Sequence, residues 1–142
     1  MDKALWKNDV LFSGPGEALA RIDKDHVVLS HSQIRVSVER KFPTGIVVRG
    51  ESTSGIRYVL TTVGLSVHQL KAQCGESWYR LDRSSTLSTK RRIIRQGEVI
   101  GTIVFSRSGT GKISLEQQIS TACLAFLSYA CRLIDAPRDL RG

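Results

Sequence analysis

The chain has few of the features that support a disulfide framework or a membrane span. Only 3 of its 142 residues are cysteine, an odd number, and two of these, Cys123 and Cys131, lie in an apolar segment. This pattern indicates buried, reduced thiols. The longest uncharged stretch, residues 117–131, would cover about 22 Å as a helix, short of the about 30 Å of a bilayer core. The charged N-terminal segment is unlike a signal peptide, so we expect a cytoplasmic protein, peripheral to membranes at most, without a transmembrane segment.

Motifs for catalysis and metal binding are also scarce. Residues 106–114, SRSGTGKIS, fail the P-loop spacing because Ile113 occupies the Ser/Thr position after Lys112. The three histidines lack the spacing of a metal site, and no G-x-S-x-G motif is present. Cys74, expected in a turn, has no base that the sequence identifies as its partner. We therefore expect a protein that is not an enzyme and needs neither metal nor cofactor.

Acidic residues are fewer than basic ones. The chain carries 21 Lys and Arg against 13 Asp and Glu, a net charge of +8 with a pI near 9.9. Such a balance favours attraction to phosphate-bearing partners, either nucleic acid or anionic lipid. The alternative interpretation is a basic surface that only keeps the protein in solution.

What the sequence does contain is a series of short segments with strand periodicity. Residues 33–39, QIRVSVE, alternate apolar and polar side chains. Residues 90–95 and 99–105 flank a Gln-Gly-Glu turn and predict a hairpin. The expected strands lie at residues 27–30, 33–39, 44–49, 56–62, 65–71, 77–82, 90–95 and 99–105. One domain spanning residues 1–142 is expected, because the chain contains no repeat or linker.

The C-terminal segment predicts a buried helix. Residues 120–133, STACLAFLSYACRL, have almost no polar face, and a helix that is apolar all round must be surrounded by apolar contacts. Ser114 and Gln117 match a capping box, which predicts a helix over about residues 114–135. The expected fold is α+β and mainly antiparallel β, with a curled sheet or barrel of about 8–10 strands around this helix. Burial of Leu124, Phe126 and Tyr129, on different sides of the helix, would establish that arrangement.

Two segments resemble the tubby-like superfamily, which includes LURP-one-related proteins and phospholipid scramblases. They are the hairpin RRIIRQGEVIGTIVF, residues 91–105, and the helix ISLEQQISTACLAFLSYACRLID, residues 113–135. The resemblance implies a β-barrel threaded by a C-terminal helix. The chain is shorter than the usual full barrel, so fewer than twelve strands are expected. The alternative is a pleckstrin-homology-like domain, in which an amphipathic helix caps one end of the barrel.

A basic cluster in the second half of the chain is the candidate binding site. Its members are expected to hold an anion, and they are Arg80, Arg83, Lys90, Arg91, Arg92, Arg95 and Lys112. Tubby-like domains bind phosphoinositides, so the resemblance implies a binding module for acidic lipid headgroups or other phosphorylated ligands. A nucleic-acid-associated protein and a protein-interaction or structural module remain the alternatives.

Overall fold

In the part of the chain that the structure describes, runs of alternating apolar and polar residues form twelve β-strands, which are followed by one helix. The computed structural model describes residues 2–85, 88–106 and 108–135. The strands are β1 (Asp2–Lys7), β2 (Val10–Ser13), β3 (Ala18–Asp23), β4 (His26–Val28), β5 (Gln33–Lys41), β6 (Gly45–Ser52), β7 (Arg57–Thr62), β8 (Gln69–Cys74), β9 (Ser77–Arg83), β10 (Arg91–Arg95), β11 (Glu98–Phe105) and β12 (Gly111–Leu115). The helix is α1 (Thr121–Asp135).

The strands form a closed antiparallel barrel. Each strand pairs with the next in sequence, and β1 pairs with β12, where Ala4 lies opposite Ile113. Turns from an odd-numbered strand to the next even-numbered one therefore share one end of the barrel, which we call the upper end. The remaining turns and the connection from β12 to α1 lie at the lower end. The predicted hairpin is confirmed as β10 and β11, with Gln96 and Gly97 both at positive φ, as a tight two-residue turn requires.

The helix runs through the barrel from the lower to the upper end. Leu124, Phe126 and Tyr129 are all buried, which confirms the threaded arrangement and not a helix that caps one end. Within the described ranges, no helix has the length and apolar character needed to cross a membrane.

Inward side chains of the strands meet α1 on several sides. The Tyr58 ring on β7 lies 5.2 Å from the Phe126 ring. Gly50 on β6 gives Phe126 room, because a Cβ atom there would lie 3.0 Å from the ring and 2.8 Å from Ile34. On β1, Trp6 donates its indole N–H to the Ser128 hydroxyl at 2.8 Å. The one buried serine of the described helix is thereby hydrogen-bonded.

The expected number of strands was too low. The missed strands are β1, β2, β3 and β12, three in the charged N-terminal segment and one directly before the helix. They are short and only partly apolar, since each has one face in water. Their inward residues become evident only once closure places β1 beside β12.

The expected helix start at residue 114 is wrong. Ser114 lies in β12, where Ile113 and Leu115 point inward and Ser114 outward. The N-terminal cap is Ser120, whose hydroxyl accepts the Cys123 N–H at 3.2 Å. The capping-box spacing was misleading because pairing of β12 with both β11 and β1 outweighs a local helix preference.

Replacing Phe126 should destabilise the protein strongly. Phe126→Ala removes a fully buried ring from the barrel interior, and we expect a loss of about 3–5 kcal/mol in the free energy of unfolding. Phe42→Ala is the matched control, because this ring is 99% exposed and its loss should change stability by no more than about 0.5 kcal/mol. Urea unfolding followed by tryptophan fluorescence measures both. Similar values for the two variants would contradict the threaded helix.

Candidate functional site

Arg91, at the centre of the predicted basic cluster, lies inside the barrel. Its side chain is 0% exposed, and its Nε and Nη2 atoms donate to the two carboxylate oxygens of Asp135 at 2.7 and 2.8 Å. The guanidinium also donates to the carbonyl oxygens of Val67 and Leu81, at 2.7 and 3.0 Å. The prediction that Arg91 binds an external anion is therefore wrong, because all its donors face groups of the protein itself.

Arg83 belongs to the same internal network. Its Nη2 donates to Asp135 at 3.0 Å, and only 17% of its side chain is exposed. Asp135 is the last helical residue and is 2% exposed, so two guanidinium groups balance one buried carboxylate. Arg83 is thus also unsuited to hold an external ligand.

Two more of the predicted residues already have partners. Arg80 pairs with Asp82 at 3.2 Å on the outer face of β9. Arg95, half-buried at the lower end, donates to the Gln117 side chain at 2.9 Å and lies 6.0 Å from the centre of the Tyr79 ring. The structure therefore separates these residues from one another and compensates part of their charge.

Lys90, Arg92 and Lys112 remain exposed, and we call them the outer cations. Arg92 projects from β10 opposite Thr102 on β11, and Lys112 projects from β12. In the part of the chain that the structure describes, none of the three has a carboxylate within ion-pair distance. Lys112 lies in β12, eight residues before the cap of the helix, and not next to a helix start at residue 114.

The upper end holds a feature that sequence reasoning missed. The turn between β5 and β6 exposes Phe42 almost completely (99%), and the loop between β7 and β8 exposes 77% of Leu65. The hydroxyl of Thr44 donates to the Leu65 carbonyl at 3.0 Å, which ties the two loops together. Arg40 and Lys41 directly precede Phe42, and both are exposed. We call Arg40, Lys41, Phe42 and Leu65 the upper rim.

Lys90 lies at the same end of the barrel as the upper rim, next to residues that contact the loop carrying Leu65. The N–H of Arg83 donates to the His68 carbonyl at 2.9 Å, and the Arg91 side chain donates to the Val67 carbonyl. These bonds hold the upper ends of β9 and β10 against the loop that carries Leu65, and Lys90 directly precedes β10. Among the described residues, Arg40, Lys41 and Lys90 have no carboxylate within ion-pair distance. The sequence did contain a signal for the exposed Phe42. A large apolar residue in the Phe-Pro-Thr-Gly turn, residues 42–45, is not explained by the periodicity of a strand.

A second group of arginines lines a groove on the outer face of β5 to β8. The groove has a volume of about 610 Å³ and contains Arg35, Arg49 and Arg57. Glu51 lies between Arg35 and Arg57 in the strand register. Arg49 binds Glu39 at 2.6 Å, and this hydrogen bond lowers the pKa of the Glu39 carboxyl. Because carboxylates alternate with the guanidinium groups, the groove is a weaker anion site than the upper rim.

The three histidines do not form a metal site. His26 pairs with Asp25 at 2.7 Å, and in residues 2–85, 88–106 and 108–135 no group of three potential metal ligands comes together. The P-loop-like segment includes Arg107, which lies outside the described residues. The N–H of Ser106 donates to the Thr110 carbonyl at 2.9 Å.

Comparison with known proteins leaves the resemblance to tubby-like proteins as a hypothesis. The chain matches no model of a protein family, no curated protein and no solved structure. Any functional assignment therefore depends on the geometry described above.

Substitution of Arg91 should reduce stability. Arg91→Leu leaves the buried Asp135 carboxylate with only one of its two cationic partners, and we expect a loss of about 3–5 kcal/mol in the free energy of unfolding. The neighbouring Arg92→Leu is the control, and should change it by at most about 0.5 kcal/mol. Urea denaturation of both variants measures this difference in the free energy of unfolding. If Arg91→Leu leaves the free energy of unfolding unchanged, the buried ion pair with Asp135 is contradicted. Arg91 would then again be a candidate to bind an external anion.

Proposed function

We propose that the protein is a non-enzymatic binding module for anionic ligands, and that its ligand is a surface of acidic lipid headgroups. The observation that carries the proposal is the upper rim together with Lys90. Two large apolar side chains project from adjacent loops there. Among the described residues, none of the three cations has a carboxylate within ion-pair distance, since Glu39, the acidic residue near Lys41, pairs with Arg49.

The apolar side chains favour a lipid surface over a soluble phosphate. Phe42 and Leu65 contribute little to the folded core, because most of each side chain is in water. Burial of such a side chain in an apolar phase stabilises by about 1.5–3 kcal/mol. The hydrogen bond from Thr44 to Leu65 holds the two tips side by side, so both can enter the interface of a bilayer together.

The charge distribution favours one orientation. Arg40, Lys41 and Lys90 lie on the β5–β10 side of the upper end, and each cation near an anionic bilayer contributes about 1 kcal/mol. On the β1–β4 side of this end the charges are mixed, because Asp9 pairs with Arg132 at 3.1 Å and Lys24 adjoins Asp25 in the turn between β3 and β4. An acidic bilayer would therefore attract the β5–β10 side more strongly.

We also propose membership of the tubby-like superfamily. A closed antiparallel barrel threaded by a C-terminal apolar helix is the architecture that the resemblance implied. This shared plan supports the assignment of an acidic lipid as the ligand.

Binding to vesicles tests the role of the apolar tips. The protein should sediment with vesicles of phosphatidylcholine and phosphatidylserine, and markedly less with pure phosphatidylcholine. Phe42→Asp and Leu65→Asp should each weaken binding about 10- to 100-fold, because each removes about 1.5–3 kcal/mol of apolar burial. Ile56→Asp is the matched control, since Ile56 is 46% exposed at the lower end and should not contact the bilayer. Equal binding to neutral and acidic vesicles would refute the proposal.

Charge reversal tests the cations separately. Lys41→Glu combined with Lys90→Glu should weaken binding to acidic vesicles at least about 10-fold, with less effect as the salt concentration rises. Arg35→Glu combined with Arg57→Glu changes the net charge equally but lies in the groove of β5 to β8. If both double variants weaken binding equally, overall charge and not the upper rim is responsible.

A second candidate function, binding of single-stranded nucleic acid, is favoured by one observation on β9. Trp78 is 57% exposed, and Arg80 projects from the same face of the strand, opposite Lys71 on β8. An exposed aromatic ring beside cations can stack on a base, a contact worth about 1–3 kcal/mol. Tyr79, by contrast, is buried and unavailable for stacking.

A gel-shift titration with a single-stranded oligonucleotide at low salt tests this candidate. If the protein binds through β9, Trp78→Ala should weaken binding at least about 5-fold, whereas Phe42→Ala should leave it unchanged. Absence of a shift at low salt would eliminate nucleic-acid binding.

A further inference from the structure

Two of the three cysteines meet at the lower end of the barrel, although 49 positions separate them in the sequence. Cys74 ends β8, and Cys123 lies in the first turn of α1. Tyr58 is the cross-strand partner of Cys74, and its ring packs on Phe126, which lies one helical turn after Cys123. Cys74 and Cys123 therefore lie on the same side of the helix, on either side of the contact between Tyr58 and Phe126.

The surroundings of Cys123 favour a thiolate. Ser120 caps the helix at this point, so the positive end of the helix dipole is close to the sulfur. The hydrogen bond donated by Cys74 lowers the pKa of Cys123, and a hydrogen bond from the Tyr79 hydroxyl and the charge of Arg95 act in the same direction against the opposite effect of burial. The pKa of Cys74 is raised, because its hydrogen bond to Cys123 and its burial both favour the neutral thiol.

Cys131 offers an internal comparison. It lies two turns further along α1, is completely enclosed, and burial raises the pKa of its thiol to about 12. Cys123 and Cys74 instead keep a small exposure, 4% and 9%, at the end where the helix enters the barrel. A small uncharged oxidant can reach them more readily than it can reach Cys131.

We propose that Cys74 and Cys123 are a peroxide-sensitive thiol pair that closes to a disulfide between β8 and α1. In the first step the Cys123 thiolate attacks one oxygen of hydrogen peroxide. An S–O bond forms, the O–O bond breaks, and the hydroxide that leaves is protonated to water. In the second step the Cys74 sulfur attacks the sulfenic sulfur of Cys123. The S–S bond forms, the S–O bond breaks, and the departing hydroxide takes the Cys74 proton as a second water.

The first step prepares the second. The hydrogen bond to Cys123 and the negative charge of the Cys123 thiolate both raise the pKa of Cys74. Conversion of Cys123 to a neutral sulfenic acid removes that charge, so Cys74 ionises more readily once its partner is oxidised. The pair thus has an attacking thiol and a resolving thiol at the same end of the barrel.

The disulfide would fasten the start of α1 to the barrel wall. It closes a loop that contains β9 to β12, and such a cross-link restricts the unfolded chain. We expect the oxidised protein to unfold at a higher temperature than the reduced protein. This effect is independent of the upper rim, which lies at the opposite end.

The experiment treats the full, folded chain with hydrogen peroxide and then counts free thiols after denaturation. The count should fall from three to one, and peptide mapping should find Cys74 joined to Cys123 with Cys131 unmodified. The Cys131→Ala variant should form the same disulfide. In the Cys74→Ala variant, oxidation should stop at a sulfenic acid on Cys123, which dimedone traps.

Other outcomes would overturn the proposal. They are an unchanged count of three thiols, oxidation of Cys131 at the same rate as Cys123, or a wild-type chain that accumulates sulfenic acid without a disulfide. Because the main measurement uses the wild-type chain, it does not depend on the folding of a variant. Vesicle binding is not part of the readout, so failure here leaves the proposed lipid binding unaffected.

Discussion

Burial of α1 on every side requires a sheet that curls through a full turn, because an open sheet covers only one side of a helix. Closure depends on the pairing of β1 with β12, the two strands nearest the ends of the barrel sequence. Trp6 on β1 then reaches Ser128, the one buried hydroxyl of the described helix. Gly50 shows how tightly the wall follows the helix, since the Phe126 ring occupies the space of its missing side chain. The apolar helix and the closed barrel therefore require each other.

The interior becomes polar where the helix ends. Asp135 brings a carboxylate into the upper end of the barrel, and Arg91 and Arg83 neutralise it. Arg91 donates its remaining N–H groups to the carbonyl oxygens of Val67, His68 and Leu81. The first of these belongs to the loop that carries Leu65, so the buried ion pair also positions part of the upper rim. A residue that was expected to bind a ligand thus shapes the proposed binding surface from inside.

The two ends of the barrel differ in chemistry for this reason. The upper end is built around a buried ion pair and presents the upper rim to solvent, whereas the lower end receives the first turn of the helix and brings Cys123 beside Cys74. Each arrangement follows from the direction in which the helix passes through the barrel. Had the helix entered from the other side, its N-terminal turn would have met Val67 and Leu81 instead of Cys74.

The sequence by itself determined the apolar helix, the hairpin of β10 and β11 and the requirement for a surrounding sheet, because these depend on residues close together in the chain. Only the tertiary structure decided that Arg91 lies inside. Strand alternation places Arg91 and Arg92 on opposite faces, but the carboxylate that makes burial tolerable is 44 residues away. Closure likewise explains why residues 2–7 form a strand. Their alternation of apolar and polar residues is weak, and pairing with β12 supplies the hydrogen bonds that hold them in the barrel. The upper rim joins two loops 21 residues apart through one hydrogen bond, and contacts between distant residues of this kind leave no local pattern in the sequence.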